Sequence, residues 1–191
     1  MIPENAKVPD EIRTARLLLR PPRVGDGPTV NEAIRESFAE LNVWMAWAKE
    51  LPSVEDSERF AAEAAEKFCA RDELPMLMRL RDSDALVGAT GLHRINWAIP
   101  SFEVGYWCRT SQVGRGYVTE AVYGLAKLVF GTFGAKRYEV RMDTQNERSW
   151  KVAERLGFAL EGVLRNDALA NDGSLRDTRV YAVSRLADLR P

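Results

Sequence analysis

Hydrophobic spacing along the chain alternates between the period of two that suits a strand and the three-to-four spacing of a helix. Leu17-Leu18-Leu19 is a short apolar run closed by Pro21-Pro22, which predicts a first strand. From Asp26 to about Ala48 the pattern is helical but interrupted, with Trp44 and Trp47 near its end. Ser53 and Asp56 match a capping box, and Phe60, Ala64 and Phe68 follow four apart as a core-facing stripe of a second helix. The period then shortens. Met76-Leu77-Met78 and Leu86-Val87-Gly88-Ala89 flank Asp82-Ser83-Asp84, a hairpin pattern. Phe102-Glu103-Val104-Gly105-Tyr106-Trp107 is another strand, with one acid among apolar neighbours. Val118, Val122, Leu125, Val129 and Phe133 form the strongest helical stripe of the chain. Tyr138, Val140 and Met142 alternate with Glu139 and Arg141 as a half-buried strand. A short helix is expected from near Asn146 to a C-terminal glycine, Gly157. Two closing strands, about 158–166 and 176–185, meet across the turn Asn171-Asp172-Gly173. The sum is about seven strands and four helices in irregular order, an α/β (α+β) class with a mixed sheet.

Composition narrows the class of protein. The length of 191 residues suits a single domain over 1–191. Lys plus Arg (27) balances Asp plus Glu (28), so a protein that wraps nucleic acid is not expected. No apolar stretch approaches the roughly 18 residues of a membrane span. Met1-Ile2-Pro3-Glu4-Asn5 lacks a basic region followed by an apolar segment, so no secretory signal is expected. Cys69 and Cys108 are too few for a disulfide framework or a cysteine-rich metal site. The expected location is the reducing cytoplasm, with no metal cofactor.

Candidate chemistry gathers where the third helix begins. Gln112-Val113-Gly114-Arg115-Gly116-Tyr117 lies directly between a strand and that helix. Two glycines let backbone approach a ligand closely. The first amides of a helix lack internal partners and sit at its positive end, so together they make a pyrophosphate cradle. A Gly-x-Gly pair is also often a plain turn. It is not the dinucleotide fingerprint, because Thr119 stands where the third glycine belongs, and no Gly-Lys-Ser/Thr marks a P-loop.

Several segments together are more specific. Phe102–Trp107, Gly114-Arg115-Gly116-Tyr117-Val118-Thr119-Glu120-Ala121, Asn146-Glu147-Arg148-Ser149, Leu156-Gly157-Phe158 and Glu161-Gly162 resemble the GNAT N-acetyltransferases. The similarity is nearest to the RimJ/RimL group, which acetylates protein α-amino groups. The opening Arg16-Leu17-Leu18-Leu19-Arg20 and the closing Asp172-Gly173…Arg176-Asp177 fit that group too. The resemblance spans about 13–185. It implies a mostly antiparallel GNAT sheet, acetyl-CoA as co-substrate held between two splayed strands, an amine acceptor, and frequent homodimers. A β-bulge near Trp107-Cys108 is expected to turn amides toward the co-substrate. The co-substrate would touch Trp107, Cys108, Arg109, Val113, Gly114, Arg115, Gly116, Tyr117, Val118, Thr119, Asn146 and Ser149. The acceptor would be lined by Trp44, Trp47 and His93, and would enter over the first two helices and the closing hairpin. The chain departs from the pattern at Ser111, where Gln or Arg is usual, and at Ala153, where a proton-donating tyrosine often stands. A glutamate some RimL enzymes use would align near Ala168.

Each candidate residue has a plainer role beside the functional one. Glu103 is either the general base for the acceptor amine or a surface acid of an edge strand. Asn146 and Ser149 share one helix face; they are either an N-cap pair or, as the resemblance implies, a pantetheine contact and a hydrogen-bond donor to the departing thiolate. Trp44 and Trp47 are core aromatics or cleft lining. His93, the one histidine, could pair with Cys108 as a nucleophilic dyad, although no third orienting group is evident. Three readings of function therefore stand: an α-amino acetyltransferase, a small-molecule acetyltransferase on the same fold, and a non-catalytic acyl-CoA-binding module.

Overall fold

A computed structural model describes residues 7–191, so the expectation about Met1–Asn5 lies outside the described residues. The elements in chain order are β1 (Ile12–Arg13), β2 (Leu17–Arg20), α1 (Gly27–Trp44), α2 (Val54–Ala70), β3 (Leu74–Leu80), β4 (Leu86–Asn96), β5 (Ser101–Cys108), α3 (Tyr117–Gly131), β6 (Arg137–Asp143), α4 (Glu147–Leu156), β7 (Ala159–Leu169) and β8 (Leu175–Val183). All eight strands join one sheet in the order β1-β2-β3-β4-β5-β6-β8-β7. The expected seven become eight because Ile12–Arg13, too short to leave a periodic signal, pairs with β2.

Local chemistry explains most boundaries. The Ser53–Asp56 capping box is formed at the start of α2, with each side chain accepting from the other residue's backbone. Gly157 takes a left-handed conformation and closes α4. The α2 stripe is rotated from the expected one: Ala61, Ala64 and Phe68 are buried, whereas Phe60 is 50% exposed. Four residues advance a helix by slightly more than a turn, so a strict four-residue repeat drifts off the buried face.

The sheet carries a core on each side. Leu19, Met78, Phe102, Val104, Leu125, Val129, Tyr138 and Val140 pack together on the side that receives α3 and α4. Val30, Ile34 and Leu41 of α1 pack with Leu77 and Leu86 on the other side. Alternation along β5 therefore sends Phe102 and Val104 toward α3, and Glu103 and Trp107 toward the α1 side.

All neighbouring strands pair antiparallel except β5 and β6. Those two pair in parallel over only Ser101–Glu103 with Arg137–Glu139, after which they part. The expected bulge at Trp107-Cys108 is absent, because Gly88↔Cys108 and Ala89↔Trp107 stay in register. The irregularity lies between His93 and Asn96, where Arg94 has a positive φ of 44°. Opening of the sheet thus comes from the loss of β6 and not from a bulge.

The corrected α2 face makes a direct prediction. Phe68→Ala should cost about 3 kcal/mol, near the low end for a buried Phe→Ala change, whereas Phe60→Ala should cost under about 0.5 kcal/mol. Chemical denaturation of both variants, with midpoints compared at unchanged slope, measures the difference.

Candidate active site

The parting of β5 and β6 leaves one edge of Val104–Cys108 without a strand neighbour. Tyr106 points from this edge to the α3/α4 side, where its buried hydroxyl donates to the Ser149 carbonyl at 3.0 Å. The Ser149 hydroxyl donates in turn to the Tyr106 oxygen at 3.2 Å. Asn146 accepts from the Ser149 amide at 3.2 Å, so it caps α4 as its residue type suggests. Asn146 and Ser149 therefore do stand together at the mouth of the gap. Burial pushes the Tyr106 hydroxyl up to about 12, which keeps it protonated at neutral pH. Ala153 is buried and offers no polar group.

At the head of the gap, Gly114 and Gly116 both have left-handed φ, 78° and 79°. Nothing lies within 4 Å of where a Cβ on Gly114 would be, and only Arg16 comes near that of Gly116. Among the described residues, the amides of Gly114 to Thr119 donate to no backbone oxygen; the first amide of the region to do so is Glu120, to Gly116. Six free amides on an open loop at a helix start suit an anionic phosphate group. Val113, Arg115, Tyr117 and Val118 flank them at the surface, and Thr119 accepts from Arg155 of α4 at 3.3 Å.

The side chains of three residues expected at the co-substrate are engaged in packing or ion pairs, while the backbone of Trp107 and Cys108 stays on the open edge of β5. The Trp107 side chain packs on the α1 side, 6.4 Å from the ring of Trp47. Cys108 packs against the core on the α3 side, and burial raises its thiol to about 11. The Arg109 guanidinium is held by Glu32 and Glu36 of α1. Alternation and these acids decide the outcome, and neither is visible from the motif alone.

Glu103 lies at the point where the strands part, opposite Glu139 on β6 and His93 on β4. Its side chain is 17% exposed, and its Oε2 is buried without a hydrogen bond among the described residues. Burial raises its pKa, while Arg94 and Arg141, each 3.5 Å from Oε2, pull it back. A carboxylate so placed is neither a free surface acid nor a locked ion pair. His93 sits beside it over Gly105, where an added Cβ would be 3.0 Å from the imidazole. Burial lowers the His93 pKa, against the opposing pull of Glu73. A His93–Cys108 dyad is excluded: five residues of extended strand separate the pairing partner Glu103 from Cys108, about 16 Å. Arg94 and Arg141 were not foreseen, because only the kink at Arg94 and the β5–β6 register bring them to Glu103.

On the α1 side a cleft runs between the end of α1 and the β7–β8 hairpin, lined by Trp44, Met45, Asp143, Ala168, Asn171 and Arg176. Arg176 pairs with Asp143 at 3.2 Å and lies over the Trp44 ring at 5.5 Å. Asn171 at the hairpin tip donates to the carbonyls of Asn42 and Met45 and ties the hairpin to α1. Trp47 is 53% exposed and borders the region without lining this cleft. Among the described residues no group of three or more His, Cys, Asp or Glu is arranged to hold a metal ion. Among the same residues no helix is long and apolar enough to cross a membrane.

A sheet split beside a glycine-rich helix start is the arrangement that the resemblance to acetyltransferases implies, and comparison with known proteins gives the same class. The acetyltransferase (GNAT) domain model matches residues 16–159, three-quarters of the chain. The ribosomal-protein-serine acetyltransferase of Escherichia coli is 28% identical over 136 residues, 71% of this chain and 74% of the relative. The N-acetyltransferase YoaA of Bacillus subtilis is 27% identical over 173 residues, 90% and 95% of the two chains. Among solved structures, RimL, a ribosomal L7/L12 α-N-protein acetyltransferase in complex with coenzyme A, superposes with a TM-score of 0.86 at 20% identity, over 93% and 99% of the chains. The microcin C7 self-immunity acetyltransferase MccE in complex with acetyl-CoA and AMP gives 0.85 at 24%, over 94% and 98%. The chain belongs to the GNAT acetyltransferase family. It is an acetyl-CoA-dependent N-acetyltransferase of the RimJ/RimL-like kind, which sets aside the non-catalytic reading.

Tyr106→Phe and Ser149→Ala break one hydrogen bond from its two ends. Each should lower stability, and the double variant should lose less than the sum by about 0.5–1.5 kcal/mol. Strictly additive losses in denaturation would show that the pair is not formed in solution.

Proposed function

We propose that this protein acetylates the N-terminal α-amino group of a protein acceptor by direct attack on acetyl-CoA in a ternary complex. The observation that carries this reading is Glu103: a buried, partly unsatisfied carboxylate where β5 and β6 part, reached from the α1 side. The names of the E. coli relative and of RimL support a protein acceptor. The charges of the cleft support it too. Asp143 is paired with Arg176, so that cleft lacks the unpaired acids that a polyamine or aminoglycoside would favour. The chain would act as one catalytic domain in the cytoplasm, where its two free cysteines stay reduced.

The amides of Gly114–Thr119 bind the pyrophosphate, and the open edge of Val104–Cys108 orients the pantetheine arm. Acetyl-CoA supplies the activated acyl group. Glu103 takes the proton of the acceptor ammonium, directly or through water, so that the neutral amine can attack. Ser149 donates a hydrogen bond to the departing thiolate, for which its hydroxyl must turn from Tyr106. Tyr106 keeps the first turn of α4 in place meanwhile. A free thiol of this kind has a pKa near 8.5, so the thiolate leaves without a strong acid, and the second proton shed by the attacking nitrogen passes to water as the amide forms.

The acceptor class is tested by thiol release from acetyl-CoA against free-N-terminus peptides, the same peptides N-acetylated but carrying lysine, an aminoglycoside and a polyamine. The free-N-terminus peptides should give the highest kcat/KM. Preference for the polyamine or aminoglycoside would instead establish the small-molecule reading. Glu103→Gln should lower kcat by about 10²–10⁴-fold with unchanged affinity for coenzyme A. Because burial raises the Glu103 pKa, its base form is lost as pH falls through a value above the ordinary carboxylate range. The acidic limb of kcat/KM should therefore lie above that range in the native protein and disappear in Glu103→Gln. An unaltered limb would transfer the base role to His93 or solvent.

A further inference from the structure

Thr14 and Arg16 stand about a hundred residues from the glycine loop in sequence, and the proposed chemistry gives them no role. Both converge on Glu120, in the first turn of α3. Thr14 Oγ1 donates to one Glu120 carboxylate oxygen at 2.6 Å, and the Arg16 amide donates to the same oxygen at 2.7 Å. The Arg16 guanidinium donates through Nε to the other oxygen at 2.6 Å. Although burial opposes it, these donors hold the Glu120 carboxyl below its ordinary pKa. The same guanidinium lies over the Tyr117 ring at 4.6 Å and donates through Nη1 to the Arg115 carbonyl at 2.9 Å. Arg81 fixes the other end of the clasp by donating to the Thr14 carbonyl.

The Arg115 carbonyl belongs to the peptide that carries the Gly116 amide. In a trans peptide the C=O and N–H point in opposite directions. Holding that oxygen against Arg16 therefore turns the Gly116 N–H away from Arg16 and outward among the free amides of the loop. Glu120 by itself would place a negative charge beside a site meant for phosphate, and Arg16 neutralises it. We propose that Arg16, clasped by Thr14 and Glu120, is a positioning residue for the acyl donor: it fixes the Arg115–Gly116 peptide so that the cradle is formed before the ligand binds. The proposal rests on the reading that Gly114–Thr119 holds the pyrophosphate of coenzyme A. Preorganisation of this kind acts on affinity, because the ordering cost is met in the free protein.

Titration calorimetry of the full chain with coenzyme A, together with steady-state kinetics, tests it. Arg16→Lys keeps the charge but cannot hold Glu120 and the Arg115 carbonyl in one rigid plane. It should weaken coenzyme A binding about tenfold, ~1.4 kcal/mol, raise the KM for acetyl-CoA similarly, and leave kcat within about twofold. The loss should be the same at about 0.05 and about 0.5 M KCl, because it is geometric and not a screened charge effect. Should Arg16→Lys not fold, Glu120→Gln loosens the same clasp and should raise Kd by roughly threefold. Wild-type affinity in the folded variants, or a loss that vanishes at high salt, overturns the proposal. Gly116→Val separates this from the underlying reading, since valine resists the left-handed φ and obstructs the approach of phosphate. If Gly116→Val binds coenzyme A normally, the cradle itself is misplaced. If it loses affinity while Arg16→Lys does not, only the role of Arg16 fails.

Discussion

The early end of the β5–β6 ladder is the constraint on which the rest of the site depends. Three residue pairs hold the two strands, and beyond Glu103 and Glu139 the backbone groups facing the gap have no strand partner. Unpaired backbone inside a sheet is costly unless something else satisfies it. The protein keeps the wedge open from both ends. Pro100 accepts from Lys136 at the closed end, and Tyr106 bridges from β5 to α4 at the open end. Because β5 stays in unbroken register with β4 from Glu103 to Cys108, its free edge is a regular strand edge open to an extended ligand. On the proposed reading, binding there completes a sheet that folding leaves unfinished.

On the proposed reading, the wedge also separates the two substrates. The glycine loop, α4 and Tyr106 lie on the α3 side, while Glu103, Trp107 and the Trp44 cleft lie on the α1 side. Period-two alternation along β5 achieves this within one strand, since 103 and 106 differ by an odd number. Charge follows the same division. Around Glu103, Arg94 and Arg141 offset Glu139, so the carboxylate is desolvated without being neutralised. Arg94 and Arg141 at 3.5 Å both favour the ionised form, but neither is hydrogen-bonded to the buried oxygen, and desolvation outweighs them, so the carboxylate stays able to accept a proton.

The parts of the molecule legible from sequence are those with local causes. The Ser53–Asp56 box, the Gly157 cap, the Asn171–Gly173 turn and the alternation of β6 each depend on residues within a few positions, and each is found where the pattern places it. The glycine loop is legible for the same reason. What escaped the sequence depends on register between distant strands. That Arg109 turns to Glu32 and Glu36 and that Trp107 meets Trp47 follow from how α1 packs on the sheet, and that Arg141 reaches Glu103 follows from which strands neighbour which. A bulge expected at Trp107-Cys108 was the wrong device, because a parallel pair that ends early opens a sheet without any extra residue. The Phe60 stripe failed on geometry alone, a drift of 40° per four residues.

The unequal strengths of the acid and base groups order the proposed reaction. Tyr106, pushed up to about 12 by burial, keeps its proton near neutrality, and the Ser149 hydroxyl donates only to that same Tyr106 oxygen, so neither is matched to give a proton to sulfur. They can only offer a hydrogen bond to charge that develops there. The carboxylate on the opposite side, raised by burial, is the group matched to proton transfer. An α-ammonium near pKa 8 is easier for such a base to deprotonate than a lysine ammonium near 10. Those two units are worth about 2.7 kcal/mol at neutral pH. A site with one moderate base and no acid therefore discriminates between amines by their basicity as well as by fit. On the proposed reading, this bias toward terminal amines would arise from Glu103 acting as base with no acid at Ala153, before any acceptor contact is considered.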